Sequence, residues 1–123
     1  MRLPYINLVS ENQTEFSDKV RTIAQKLGIE AWWLMVVFYI ETAANVYGKI
    51  NHRITNKLGT TGLIQFMPAT MRSLGVSQQQ LTSMSNVQQL DYVYRYLKPY
   101  ATPILIMFGA ERCITTMSFR VIA

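Results

Sequence analysis

The residues from Ala31 to Ile40 leave this chain few choices. They read Ala-Trp-Trp-Leu-Met-Val-Val-Phe-Tyr-Ile, ten in a row without a charge. A helix built from them is apolar on nearly every side, so it has to be enclosed. A bilayer is excluded as the enclosing medium, because a spanning helix needs about 20 apolar residues. The rest of the chain must therefore wrap this segment. With 123 residues in all, there is room for one core and no second one. The expectation is a single domain, residues 1–123, mainly α, around a central buried helix from Ala31 to Ala43.

The flanking sequence supplies the wrapping. Phe16, Val20, Ile23, Ala24 and Leu27 recur at helical spacing, which predicts an amphipathic helix over 14–27 that Gly28 ends. Residues 45–62 change character. They carry Lys49, His52, Arg53 and Lys57 with three glycines, and predict an irregular excursion holding at most a short β-hairpin. Pro68 suits the first turn of a helix over 68–74 that stops at Gly75. Ser77 to Leu81 reads as another helical turn. Ser85 and Gln88 form a Ser-x-x-Gln capping box for a helix over 86–97, with Val87, Leu90, Tyr94 and Leu97 on its inner face. Residues 102–123 show no clear period and remain an unassigned tail.

Charge narrows the partners without choosing one. Twelve Lys/Arg against seven Asp/Glu give a net +5, which favours anionic partners, nucleic acid or a cell-wall polymer. Cys113 is the only cysteine, so the fold has no intramolecular disulfide to rest on. His52, the only histidine, has neither a second ligand nor acids beside it, so no metal site and no cofactor are expected. The N-terminus reaches polar residues by Ser10 without an apolar stretch, so no signal peptide is expected. The chain is expected to be made in the cytosol, without a membrane span.

Glu41 directly follows the apolar run. Partial desolvation and the negative end of the helix dipole both disfavour its carboxylate, and a carboxyl that stays protonated near neutrality is what acid-catalysed glycoside cleavage requires. Lys49, Arg53 and Lys57 would oppose that shift if they folded close. As an isolated residue, Glu41 reads equally as the first solvated position where a core helix emerges.

Its company is more specific. Tyr39-Ile40-Glu41-Thr42, followed by Gly62-Leu63-Ile64-Gln65-Phe66-Met67-Pro68-Ala69-Thr70, resembles the lytic transglycosylase, or goose-type lysozyme-like, superfamily. That family ends its central helix with Glu-Ser and continues with Gly-Leu-Met-Gln-x-x-Pro-x-Thr; Thr42 and Ile64 replace its serine and methionine. The resemblance spans about residues 20–100. It implies a lysozyme-like fold in which Glu41 protonates the glycosidic oxygen between N-acetylmuramic acid and N-acetylglucosamine of peptidoglycan. Gln65 would bind sugar or position the carboxyl across a cleft, and Gly62 and Leu63 would bring backbone close to the substrate. Tyr39, Ile64 and Phe66 complete the candidate substrate-binding set.

Two-carboxylate glycosidases place their acids on either side of the bond. No Asp or Glu lies between Glu41 and Asp91, and Asp91 reads as a solvated helix residue. A single glutamate fits the family's lytic mechanism, in which the muramoyl 6-hydroxyl attacks and a 1,6-anhydro product forms; hydrolysis by activated water stays open beside it. The small size points to a phage or virion-associated enzyme acting on the cell wall. Family members continue with an Ala-Tyr-Asn-type motif and a later tyrosine motif, and neither is legible in this chain. A weakly active or inactive wall-binding or virion structural module of the same fold is therefore the second expectation, and a small basic nucleic-acid-binding helical protein a distant third. Tyr92, Tyr94, Tyr96 and Tyr100 read as core and rim residues that can also stack on sugars.

Overall fold

The computed structural model describes residues 2–43 and 48–100. The expectations about residues 44–47 and about the tail, including Cys113, fall outside these. The described chain is mainly helical. A single turn of 3-10 helix, Ile6–Leu8, precedes helix α1 (Gln13–Leu27) and helix α2 (Ala31–Phe38). The axis of α2 continues without a break into a π-helical turn, Tyr39–Ala43. After the irregular excursion come α3 (Pro68–Leu74), α4 (Gln78–Ser83) and α5 (Asn86–Leu97), then a 3-10 turn, Lys98–Tyr100.

Trp33, Leu34, Met35, Val37 and Phe38 of α2 are all buried. Leu34, Met35, Val37 and Phe38 pack with Phe16, Val20, Ile23, Ala24 and Leu27 of α1, as the spacing predicts. Phe16 and Phe38 meet edge to face, their centroids 5.9 Å apart. Trp32 and Ile40 stay exposed, so α2 is enclosed on most of its circumference rather than all of it. α1 meets α2 and its π-helical continuation at a bend of 118°. No single helix among the described residues is long and apolar enough to cross a membrane.

The helix ends follow local chemistry. The Gly75 N–H reaches Arg72 O and the Val76 N–H reaches Met71 O, two bonds that close α3 in a Schellman motif. Gly75 has φ 71°, a conformation that costs other residues a steric clash, and the buried side chains of Met71 and Val76 belong to the core. Ser85 and Gln88 form the expected capping box, and Ser77 forms a second one with Gln80.

α5 is rotated from the expected register. Leu90 and Leu97 are buried as predicted, whereas Val87 and Tyr94 are only half-buried at the flank. Asn86, Gln89 and Val93 take the inner face instead. The reason is polar: Asn86 Nδ2 donates to Glu11 O at 2.9 Å and its Oδ1 accepts from Asn12. Further along, Lys19 pairs with Asp91 at 2.8 Å, and Lys26 lies over Tyr94. α1 and α5 thus run side by side in the same direction.

The excursion contains no β-ladder among the described residues. It is held by isolated bridges, a parallel one between Val9 and Ile50 and antiparallel ones between Thr55 and Thr61 and between Thr61 and Phe66. The expected hairpin is reduced to two tight closures. Residues 56–60 fold around Asn56, whose side chain accepts from the Leu58 and Thr60 N–H groups. Residues 61–66 close through reciprocal Thr61 and Phe66 backbone bonds.

Candidate functional site

Glu41 sits in the middle of the π-helical turn. Such turns widen a helix by one residue and frequently coincide with functional sites. The residue is 8% exposed, and its Oε2 is buried with no hydrogen-bond partner among the described residues. Trp33 Nε1 is in the same condition, and nothing in the structure accounts for it. Burial raises the Glu41 pKa from 4.5 to about 7. Desolvation is the cause, and the expected opposition from the loop cations is absent. The loop cations Lys49, Arg53 and Lys57 are exposed, and Arg53 pairs with Glu11 at 3.3 Å instead.

The burial has a local origin. Thr42 Oγ1 donates to Phe38 O at 2.9 Å and accepts the Asn51 N–H at 3.1 Å. The returning chain is thereby stapled to the residue beside Glu41. It is stapled again where the Ile50 N–H reaches Leu8 O. A hydroxyl at position 42 performs this work, which a sequence comparison of Thr with Ser does not reveal. Tyr39, two residues before Glu41, is half-buried and stacked on Tyr5, ring centroids 4.2 Å apart and planes 11° from parallel.

The second motif forms a unit of its own. Gly62, Leu63, Ile64, Gln65 and Phe66 are brought together in one tight turn, and all five are buried. Leu63, Ile64 and Phe66 place their side chains in the core, with Phe66 edge-on to Tyr96. Any contact of Leu63 with a substrate would be through backbone. Gln65 is a non-glycine residue at φ 55°. Its amide is fully engaged inside its own loop: Nε2 donates to Ile54 O and Gly62 O, and Oε1 accepts from Thr60 Oγ1 at 2.8 Å. The strained backbone costs on the order of 1 kcal/mol, and three bonds of about 1 kcal/mol each outweigh it. Gln65 therefore shapes the turn from within.

Gln89, passed over in the sequence, holds this turn to the helices. It is fully buried on α5. Its Oε1 accepts the Leu63 N–H at 2.8 Å, and its Nε2 donates to His52 O and Leu81 O. Gly62 has φ 88°, and a Cβ there would lie 2.5 Å from Gln89 Oε1. Only glycine permits both the turn and the amide. A glutamine one helical turn before Val93 carries no signal of this kind in the sequence; the glycine opposite does. His52 is not a loop residue in solvent but a buried one, its Nε2–H donating to Met84 O at 2.7 Å. Burial holds its pKa below the ordinary value.

No group of three His, Cys, Asp or Glu side chains among the described residues is arranged to hold a metal ion. Asp91 is exposed and paired with Lys19. A cavity of about 200 Å³ lies between the N-terminal segment and α1, lined by Leu3, Ile6, Gln13, Ser17 and Asp18 among others, and none of the motif residues reaches it. Compared with known families, curated proteins and solved structures, the chain matches none of them significantly.

The buried amide and the buried acid each make a prediction. Gln89→Leu leaves the Leu63 N–H and two carbonyls without partners, so it should lower the unfolding free energy in urea by about 3 kcal/mol. Glu41→Gln should stabilise the fold in a pH-dependent way. Below pH 4.5 Glu41 is neutral in both the folded and unfolded states. Between 4.5 and about 7 only the unfolded chain releases the proton, so wild-type stability falls as pH rises. Glutamine removes that loss. The variant should match the wild type near pH 4 and exceed it by about 3 kcal/mol at pH 8, measured by denaturant unfolding at both pH values.

Proposed function

We propose that the protein cleaves the glycan strands of peptidoglycan between N-acetylmuramic acid and N-acetylglucosamine, within a lysozyme-like domain, with Glu41 as the acid. The observation that carries this reading is the buried Glu41 carboxyl, unpartnered at Oε2 and half-protonated near neutral pH. A protein that needed a carboxylate here for stability would have given it a cation or backbone donors. The sequence likeness of residues 39–42 and 62–70 to lytic transglycosylases supports the choice of substrate, and the dense hydrogen bonding of the 61–66 turn supports a fixed conformation there.

The chemistry needs one carboxyl used twice. Neutral Glu41 donates its proton to the glycosidic oxygen as the bond to C1 of the muramoyl residue breaks. The resulting carboxylate then takes the proton of the muramoyl 6-hydroxyl as that oxygen closes on C1, which restores the acid and leaves a 1,6-anhydro end. Attack by water in the second step would leave a reducing end instead. A pKa near neutrality serves both halves, since the group must give and regain a proton in each cycle. Gln65 acts in this reading by fixing the turn, with its amide committed to Ile54, Gly62 and Thr60.

Turbidity loss of purified cell walls should fall at least about a hundredfold in Glu41→Gln, the usual scale for removing a general acid. In the wild type it should decline above pH 7, by about tenfold per unit once the acid is mostly ionised. Mass spectrometry of the products distinguishes anhydro from reducing ends. Equal, wall-dependent behaviour of wild type and Glu41→Gln, with binding and no released fragments, would leave the inactive wall-binding or virion structural module as the correct description.

A further inference from the structure

Four consecutive residues, 50–53, tie the irregular excursion to the rest of the protein. The Ile50 N–H donates to Leu8 O, and the Asn51 N–H donates to the Thr42 hydroxyl beside Glu41. The His52 ring donates through Nε2 to Met84 O just after α4, and the His52 carbonyl accepts from Gln89 of α5. Arg53 Nε donates to Thr82 O, and its guanidinium pairs with Glu11. No β-ladder backs this stretch among the described residues; the Val9–Ile50 bridge is an isolated one. A segment held by a few separate bonds opens at less cost than the whole fold does.

Asn51 also connects the two buried titratable side chains of the described residues, Glu41 and His52. Its N–H is bonded to the residue after Glu41, and the residue after it is His52. Both side chains are held towards their uncharged forms by burial, which raises Glu41 to about 7 and keeps His52 below its ordinary 6.5. Around His52, the Arg53 charge adds to that effect, while the Met84 carbonyl and the Glu11 carboxylate oppose it. α4 has no charged residue, and α5 meets His52 through the neutral Gln89 amide. At Glu41 the cause is desolvation, and the segment's cations Lys49 and Arg53 are exposed.

We propose that residues 50–53 are a clasp over Glu41 that is shut while His52 and Glu41 are both uncharged and is opened by charging either one. The clasp then has two pH controls of opposite sign. His52 favours the shut form fully above pH 6.5, and that contribution is lost as pH falls below it. Glu41 favours the shut form fully below pH 4.5, and that contribution is lost as pH rises towards about 7. Between these limits the two slopes offset each other, so the wild-type clasp is buffered against pH. Coupling of the two groups through one segment is reciprocal: whatever loosens the clasp at one end moves the titration at the other towards its ordinary value. The clasp follows from the bonding of residues 50–53 and holds for any reaction that Glu41 serves.

The test is amide hydrogen exchange of Ile50 and Asn51 by NMR at about pH 5 and pH 7, corrected for the intrinsic effect of pH on exchange. In the wild type these amides should exchange faster than those of the α1 core and with little dependence on added urea. His52→Gln keeps a donor for Met84 O and cannot become charged. Its clasp should open about thirtyfold more at pH 7 than at pH 5. Glu41→Gln should reverse the sign, with opening at least about threefold greater at pH 5. The double variant should show neither slope. As the sole histidine, His52 can also be titrated directly by its ring resonances, and in the wild type it should titrate below 6.5. Equal pH slopes in the two single variants would overturn the proposal. So would clasp amides that exchange only with the α1 core and share its urea dependence, or a wild-type ring that titrates at 6.5 or above. None of these readouts depends on glycan cleavage, so loss of the clasp and loss of the Glu41 reading are separate outcomes.

Discussion

Enclosing α2 is the constraint from which the rest of this structure follows. An apolar helix cannot end in water without a transition, and here the transition is Tyr39–Ala43, where the helix widens and the returning chain is stapled down by the Thr42 hydroxyl. Because that staple is tight, Glu41 is carried into the protein's interior instead of emerging at the surface. Its raised pKa then follows from that burial. The stability forgone by burying an acid is the same quantity that makes it a proton donor near neutral pH.

A second, polar constraint works from the other side. The Gln89 amide joins the 62–63 turn, the chain at His52 and the end of α4, while Asn86 fixes the start of α5 against α1. These two buried amides set the rotation of α5. They explain why its inner face is Asn86, Gln89, Leu90, Val93 and Leu97 and why the tyrosines stand at its flanks.

Much of this was legible in the residues. The period of α1, the Pro68 start and Gly75 stop of α3, and the Ser85 capping box are each fixed by interactions within a few residues, and pattern reading captures such interactions. The position of Glu41 at the end of the apolar run was also plain, though the cause of its altered acidity was not: burial depends on Asn51 and Thr42 meeting across a loop, which no local pattern encodes. The same holds for α5, where apolar spacing suggested Val87 and Tyr94 for the core. Long-range hydrogen bonds of Asn86 and Gln89 overrode hydrophobic periodicity, because a buried amide with every bond made can occupy a core position as well as a leucine can. Gln65 was recognisable as special, and its part in the turn became clear only from where its three bonds go.

The π-helical turn also bears on how the chain tolerates changes in length. A wide turn holds one residue more than an α-helix needs to cover the same rise, so it is the place in α2 where a deletion can be absorbed without breaking the helix. Removing Tyr39 or Ile40 would let the segment relax into ordinary α-helix and preserve the α2 core packing. The same relaxation would re-space the residues inside the turn, so Glu41 and Thr42 would shift about the axis and the Thr42 hydroxyl would lose its place opposite Asn51. The helix has a spare residue in its register, and the orientation of the acid depends on keeping it.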